Sequence, residues 1–145
     1  MNNKEFIFIG EKFSLNKQVT NEDIIKFADV TGDKNPLHLD EEYAKKTIFG
    51  QRIAHGMISA GIISGAIGMH LPGQGTTYLS QTLTFKKPVM VGEMLTVDLE
   101  VSAVDHKSKF DILSILTKCI NKAGEVVVDG MAKVIPPKGM VVKES

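Results

Sequence analysis

An acid, an amide and an imidazole lie close together in the segment FADVTGDKNPLHLD, residues 27–40. Asp33, Asn35 and His38 surround Pro36, and a carboxylate with an imidazole can perform general acid–base chemistry on one water molecule. Because Pro36 steers Asn35 towards an extended conformation, the sequence predicts a kinked loop rather than a continuing helix. Loops held by rigid elements are where catalytic groups concentrate. We therefore predict that function lies in these residues, the alternative being a polar turn with two capping side chains.

Helices are predicted on both sides of this loop. Thr20 and Asp23 match an acidic form of the capping box, and the apolar residues after them predict a helix that ends near Gly32. Asp40 can cap a short helix that follows the loop. Residues 56–69 carry no charge and are fewer than the roughly 20 needed to cross a bilayer, which predicts a buried central helix. Its small residues at four-residue spacing predict close packing against a sheet.

Beyond residue 73 the apolar pattern changes to a period of two. It predicts four strands, at residues 77–85, 94–101, 109–120 and 126–135, which short connections would make antiparallel neighbours. Residues 6–9 predict either a further short edge strand or a segment that packs across the mouth of the domain. A buried helix wrapped by a curved antiparallel sheet is an α+β arrangement.

Length and charge limit the classes of function. The 145 residues, 43% of them hydrophobic, predict one domain over residues 1–145. Lysine plus arginine equals aspartate plus glutamate at 17 each, so no global field would recruit nucleic acid or an anionic membrane. The N-terminal residues lack a long apolar run and Cys119 is the single cysteine, which favours a cytoplasmic protein.

No metal site is predicted. The four histidines are scattered, at positions 38, 55, 70 and 106, and no pair has zinc-ligand spacing. Cys119 is interpreted as a buried small hydrophobic residue. His55 is interpreted as structural and ranked below His38.

Three segments in this order resemble the MaoC-like hydratases, in particular the single-hotdog (R)-specific enoyl-CoA hydratases: FADVTGDKNPLH, RIAHGMISAG and TFKKPVMVGE. The resemblance covers residues 15–136. It implies a hotdog fold, a homodimer or dimer of dimers, and reversible addition of water to a trans-2-enoyl-CoA to give the (R)-3-hydroxyacyl-CoA. Coenzyme A is then part of the substrate, and no separate cofactor is implied.

The resemblance also implies roles for single residues. The catalytic dyad falls on Asp33 and His38, the oxyanion donor on the backbone N–H of Gly56, and Asn35 orients the loop or the dyad. Gly56 opens the predicted central helix, where unpaired N–H groups face outward, although close packing would also explain a glycine there. Ser64 resembles a serine of the family's central helix. It is predicted to contact the reacting water, the alternative being a bond back to its own helix.

Substrate-binding residues are predicted by position. Ile63 and Ile67 lie one helical turn apart and either line the acyl pocket or belong to the core. Arg52, Lys86 and Lys87 are candidates for the phosphates of coenzyme A, and solvated surface charge is the alternative for each. We expect short acyl chains.

Two other functions compete with the hydratase. A hotdog thioesterase would use a carboxylate at the thioester carbonyl, and the Asn-Pro-x-His pattern argues against it. A non-catalytic acyl-thioester-binding module would keep the pocket without the acid and base, and the presence of Asp33 and His38 favours catalysis. The sequence leaves open the physiological direction, the pathway, and the choice between coenzyme A and acyl-carrier-protein thioesters.

Overall fold

The computed structural model describes residues 5–144. Both limits of the predicted domain, residues 1 and 145, lie outside the described residues. The elements follow in chain order: β1 (Phe6–Phe8), β2 (Lys12–Gln18), α1 (Asn21–Thr31), α2 (Pro36–Leu39), α3 (Glu41–Lys45), α4 (Gly56–Met69), β3 (Thr77–Gln81), β4 (Thr84–Phe85), β5 (Met94–His106), β6 (Asp111–Asn121), β7 (Val126–Ile135) and β8 (Val141–Lys143).

The helix before the predicted catalytic loop starts and stops where its capping residues predict. The Thr20 side chain accepts from the Asp23 N–H at 3.1 Å, and the Asp23 carboxylate accepts from the Thr20 N–H at 2.9 Å. These bonds satisfy donors that the first turn leaves open. Gly32 ends α1 with φ +78°, a left-handed conformation that glycine adopts at little cost. The chain therefore turns immediately before Asp33.

Six strands form one antiparallel sheet in the order β2-β5-β6-β7-β3, with β4 also paired to β7. The last three predicted strands are confirmed as a meander of β5, β6 and β7. The predicted strand at residues 6–9 is confirmed as β1, which pairs in parallel with β8 in a separate two-stranded sheet.

The predicted neighbours at residues 77–85 and 94–101 are not paired, so that prediction was wrong. β5 is flanked instead by β2, a strand that the sequence did not predict, and residues 77–85 divide into β3 and β4, both on β7. The strand is interrupted between β3 and β4, where the carbonyl oxygen of Thr82 lies against Gly130 of β7. A Cβ at Gly130 would lie 1.9 Å from that oxygen. Glycine is therefore required there for the two segments to approach.

Helix α4 spans the residues predicted for it and packs against β5 and β6. Its sheet-facing side is apolar, with Ile63, Ala66 and Ile67 at 0–1% exposure. The expectation that its glycines pack against the sheet was wrong, because Gly61 and Gly65 are exposed and, within residues 5–144, a Cβ at either position would meet no atom of another element within 4 Å. Burial of the isoleucines, at about 1.5–3 kcal/mol each, offsets the propensity cost of about 1 kcal/mol for each glycine.

The buried core also contains Cys119, as predicted. Burial raises the pKa of its thiol to about 12, so the thiolate does not form at neutral pH. Within residues 5–144, no helix combines the length and the apolar character needed to span a bilayer.

Candidate active site

The predicted loop is a short helical turn whose start is fixed by side chains of the motif itself. The Asp33 carboxylate accepts from the Asn35 N–H at 3.3 Å, and the Asn35 side chain accepts from the Leu37 N–H at 3.1 Å. Pro36 opens α2, where its missing N–H costs nothing. Asn35 is thus the N-cap of α2, and the turn carries His38 inward.

His38 is buried, with 8% of its surface exposed, and one contact decides which of its ring nitrogens carries a hydrogen. Nδ1 lies 2.8 Å from the backbone carbonyl oxygen of Ile53. Because that oxygen can only accept, Nδ1 carries the hydrogen and Nε2 holds the lone pair of the neutral ring. Burial lowers the pKa of His38 below its usual value, against the opposing effect of the bond to Ile53. The imidazole is therefore a proton acceptor at neutral pH.

Asp33 lies beside this ring. A carboxylate oxygen of Asp33 and one ring nitrogen each from His38 and His55 lie within 4.8 Å of one another. Two polar groups within this limit are close enough for one water molecule to bridge them. The fold thus brings the carboxylate of Asp33 next to the imidazole of His38.

The same three side chains are of types that bind metal ions, and their separations admit an ion. Nδ1 of His38 and Nε2 of His55 are already committed to backbone carbonyls. The two rings contact each other with centroids 4.0 Å apart, and Nε2 of His38 and Nδ1 of His55 are the ring nitrogens left for another partner. Metal independence stays a prediction.

Arg52 connects the turn to the preceding helix. Its Nε donates to the carbonyl of His38 at 2.7 Å, and Nη2 donates to the Asn21 side chain at 2.7 Å. The guanidinium therefore holds α2 against the start of α1. Its predicted role in binding phosphate stays a prediction, and that role would compete with these bonds.

A cavity of about 450 Å³ opens beside His38. Its walls include Gly56 and Ser59 from the start of α4, together with the aromatic rings of Phe49 and Phe85. Gly56 is the first residue of α4, and no acceptor for its N–H is found within the described part of the chain. That donor, with the positive end of the helix dipole, is available to an oxygen in the cavity.

Gly56 is also constrained by packing. A Cβ at this position would lie 2.8 Å from Cε1 of Phe85, closer than van der Waals contact allows. Both reasons that the sequence suggested for this glycine therefore have structural support.

Both predicted lysines line this cavity. Lys86 pairs with Asp129 at 3.5 Å and Lys87 with Glu125 at 2.8 Å, and both ammonium groups are partly exposed. The hydrogen bond from Lys87 lowers the pKa of Glu125. Exposed pairs of this kind are worth about 0–1 kcal/mol, so an anionic ligand can displace the carboxylates at small cost.

Three other predicted residues lie elsewhere. Ser64 is exposed on α4, Ile63 and Ile67 are fully buried in the core, and none of the three lines the cavity. Their predicted roles gain no support from this cavity. Ser59, which the sequence analysis did not single out, lies one turn into α4 and lines the cavity at 2% exposure. Its spacing of three residues from Gly56, which places both residues on one side of a helix, was the signal that could have identified it.

The family follows from comparison with known proteins. The sequence model of one protein family, the MaoC-like domain, matches residues 8–120 of this chain. The chain belongs to the MaoC-like domain family. This confirms the predicted family and, together with the sheet and central helix, the predicted hotdog α+β fold.

Relatives within this family cover most of the chain. A 3-hydroxybutyryl-CoA dehydratase of Methylorubrum extorquens is 42% identical, over 92% of this chain and 83% of that protein. An (R)-specific enoyl-CoA hydratase of Rhodospirillum rubrum is 43% identical, over 88% of this chain and 87% of that protein. The solved structure of an (R)-hydratase from A. caviae involved in PHA biosynthesis is 39% identical, covers 89% of this chain and 96% of its own, and superposes with a TM-score of 0.84.

Proposed function

We propose that this protein is an (R)-specific enoyl-CoA hydratase, a hydro-lyase that adds water reversibly to trans-2-enoyl-CoA. One observation carries the proposal. A carboxylate oxygen of Asp33 and a ring nitrogen of the buried His38 are close enough to bind one water, and His38 and Gly56 line the same cavity. The named activities of relatives about 40% identical support the same reaction.

The geometry suits a mechanism in which both dyad members accept from the same water. The water donates one hydrogen to the Asp33 carboxylate and the other to Nε2 of His38, which directs its oxygen lone pair at carbon three of the substrate. As the C–O bond forms, one acceptor takes a proton and the electrons of the double bond move to the thioester oxygen. The proton is then delivered to carbon two. Acid–base catalysis of this kind contributes about 10²- to 10⁴-fold in rate.

The developing charge on the thioester oxygen requires a donor that is in place beforehand. The Gly56 N–H is such a donor, because Gly56 is the first residue of α4 and the helix fixes its backbone in position. Removal of one donor of this type typically costs about 10²- to 10³-fold in kcat. Because water and oxyanion donor are both fixed relative to the cavity, water attacks one face of the double bond, which is the requirement for a single stereochemical product.

The exposed apolar walls of the cavity support a second subunit, and short acyl chains stay part of the proposal. Its walls include Met57 and Phe85, both about half exposed on the single chain. Apolar walls of this kind are costly to leave in water, and a second copy covering them would complete the acyl pocket. The active form is then a homodimer or a dimer of dimers acting on acyl-CoA in the cytoplasm, with no separate cofactor.

The thioesterase and the binding module remain the competing functions. A thioesterase would place its water at the thioester carbonyl, whereas the water site between Asp33 and His38 suits attack at carbon three when the carbonyl oxygen meets Gly56. A binding module has no use for a buried neutral imidazole whose Nδ1–H is fixed by Ile53.

Mixing the purified protein with crotonyl-CoA tests the proposal. We expect loss of the enoyl-thioester absorbance and formation of (R)-3-hydroxybutyryl-CoA, read by an (R)-specific dehydrogenase. Release of free thiol would indicate the thioesterase, and silence in both assays would indicate the binding module. EDTA is expected to leave turnover unchanged, and a loss that Zn²⁺ restores would overturn the prediction of metal independence.

A further inference from the structure

His55 is a buried histidine that the mechanism does not use. It directly precedes α4 and has 2% of its surface exposed, yet its side chain makes no capping bond to that helix. It also does not line the cavity next to His38. Its side chain is instead committed to the two members of the dyad.

The first contact holds the backbone of Asp33. Nε2 of His55 lies 2.9 Å from the Asp33 carbonyl oxygen, 22 residues away along the chain. The carbonyl can only accept, so Nε2 carries the hydrogen of this contact. Nδ1 is buried and has no hydrogen-bond partner within residues 5–144. Nε2 is thus the ring nitrogen whose hydrogen-bond partner the fold defines.

The second contact fixes the plane of the catalytic imidazole. The His55 and His38 ring centroids are 4.0 Å apart with an interplanar angle of 32°. The Phe27 ring also contacts His55, at 4.9 Å and 54°. The His38 ring is thus restrained by the bond from Nδ1 to Ile53 and by the face of His55.

These two contacts come from the segment that also supplies the oxyanion donor. Residues 53–56 make all of these contacts. Ile53 accepts from His38, His55 donates to the Asp33 carbonyl, and Gly56 lines the cavity. The relative positions of acid, base and oxyanion donor are therefore set by one short stretch of chain. His55 is the member of that stretch whose side chain reaches both dyad residues.

We propose that His55 is a positioning residue of the hydratase reaction, which fixes the distance between Asp33 and His38 through its Nε2–H bond and its ring face. The inference rests on the proposed function, since it assigns the dyad as the reacting groups. It assigns His55 no contact with substrate and no proton transfer. A misplacement of reacting groups by about 1 Å can cost on the order of 10²-fold in rate.

Two substitutions separate the hydrogen bond from the ring. His55→Gln places an amide N–H near the position of Nε2 and removes the ring, whereas His55→Phe keeps a ring and removes the donor. With crotonyl-CoA, we expect His55→Phe to lower kcat by on the order of 10²-fold with little change in KM, and His55→Gln to recover part of that loss. Each rate is normalised to the fraction folded, measured by circular dichroism.

Wild-type kcat in folded His55→Phe would overturn the proposal. So would a rise in KM at constant kcat, because a positioning residue does not touch the substrate, or wild-type kcat in folded His55→Gln, because the ring face would then contribute nothing.

A second measurement keeps this inference separate from the assignment of the reaction. In ¹⁵N spectra of the wild-type protein, we expect His38 as the Nδ1–H tautomer and His55 as the Nε2–H tautomer. The amide ¹⁵N of Lys34, which follows the Asp33 carbonyl, should shift in His55→Phe and stay near its wild-type value in His55→Gln. An inactive wild-type protein with these spectra would refute the hydratase and retain the contact, whereas an Nδ1–H tautomer at His55 would refute the contact itself.

Discussion

Nε of Arg52 donates a hydrogen bond over 2.7 Å to the backbone carbonyl of His38, and the same guanidinium reaches the Asn21 side chain at 2.7 Å. A residue predicted to receive phosphate thus connects α1 to the turn that carries the base. Arginine suits this role because its planar fork donates in two directions from a single side chain.

Replacing Arg52 should therefore affect the turn more than substrate affinity. We expect Arg52→Ala to lower the free energy of unfolding by about 1–3 kcal/mol, the range for losing hydrogen bonds from a charged donor, and to lower kcat. Asn21→Ala is the matched control, because it removes the second bond and leaves the bond to His38. Urea unfolding and crotonyl-CoA kinetics measure both effects. A raised KM for crotonyl-CoA, with unchanged KM for the crotonyl-pantetheine thioester, would instead support the phosphate role.

The protonation of His38 predicts the acid side of the pH profile. Burial places the pKa of His38 below its usual 6.5, so Nε2 keeps its lone pair at neutral pH. We expect kcat/KM to fall as the pH falls through a midpoint below 6.5. An acid limb centred at or above 6.5 would contradict a buried, neutral base.

The same lowered pKa has a consequence for stability. Between the lowered pKa and 6.5 the unfolded chain binds a proton that the folded protein does not, so stability should fall as the pH falls through this window. His38→Gln should flatten that dependence in urea unfolding measured at several pH values. An equally steep dependence in the variant would assign the effect to other groups.

Gly56 predicts a double-substitution experiment. Gly56→Ala keeps the backbone N–H but places a methyl group 2.8 Å from Cε1 of Phe85, so either the ring or the helix start must move. We expect a loss in kcat approaching the 10²- to 10³-fold range for a misplaced oxyanion donor. Gly56→Ala/Phe85→Ala, compared with Phe85→Ala alone, separates the causes. Restoration in the double variant would show that the clash displaces the donor. Full activity in Gly56→Ala would show that the Phe85 ring moves instead, and it would contradict the predicted displacement of the donor.

The two lysines at the cavity predict a difference between substrates. Lys86→Ala and Lys87→Ala should each raise KM for crotonyl-CoA. Neither should change KM for the crotonyl-pantetheine thioester, because that substrate lacks the nucleotide phosphates. Lys26→Ala is a suitable control, since Lys26 forms a comparable exposed pair with Glu22 at 2.8 Å and does not line the cavity. Equal effects on both thioesters would exclude phosphate recognition by these residues.

Local signals explain why the helices and the motif were predictable. The limits of α4 coincide with an uncharged run, and α1 is bounded by the capping box at Thr20 and the left-handed Gly32. The approach of Asp33 to His38 follows from one turn that Asn35 and Pro36 initiate. Such features depend on a few adjacent residues, so sequence alone predicts them.

Contacts between distant residues explain what the sequence left out. β2 is a mostly polar edge strand that is recognisable from its pairing with β5, which no local pattern encodes. The bonds from His38 to Ile53 and from His55 to Asp33 span 15 and 22 residues. Phe85 comes to line the cavity beside His38, together with Ser59 of α4, when β4 pairs with β7. None of these neighbours has a spacing rule that a single sequence displays.

The most direct test measures turnover of crotonyl-CoA by Asp33→Asn, His38→Ala and the wild-type protein. It tests the claim that Asp33 and His38 catalyse the addition of water. Both variants should fold, as shown by circular dichroism and an unchanged cooperative unfolding transition. Their kcat should fall by at least about 10²- to 10⁴-fold, while the wild-type protein produces (R)-3-hydroxybutyryl-CoA. Near-normal turnover in either folded variant would contradict the assignment of the dyad.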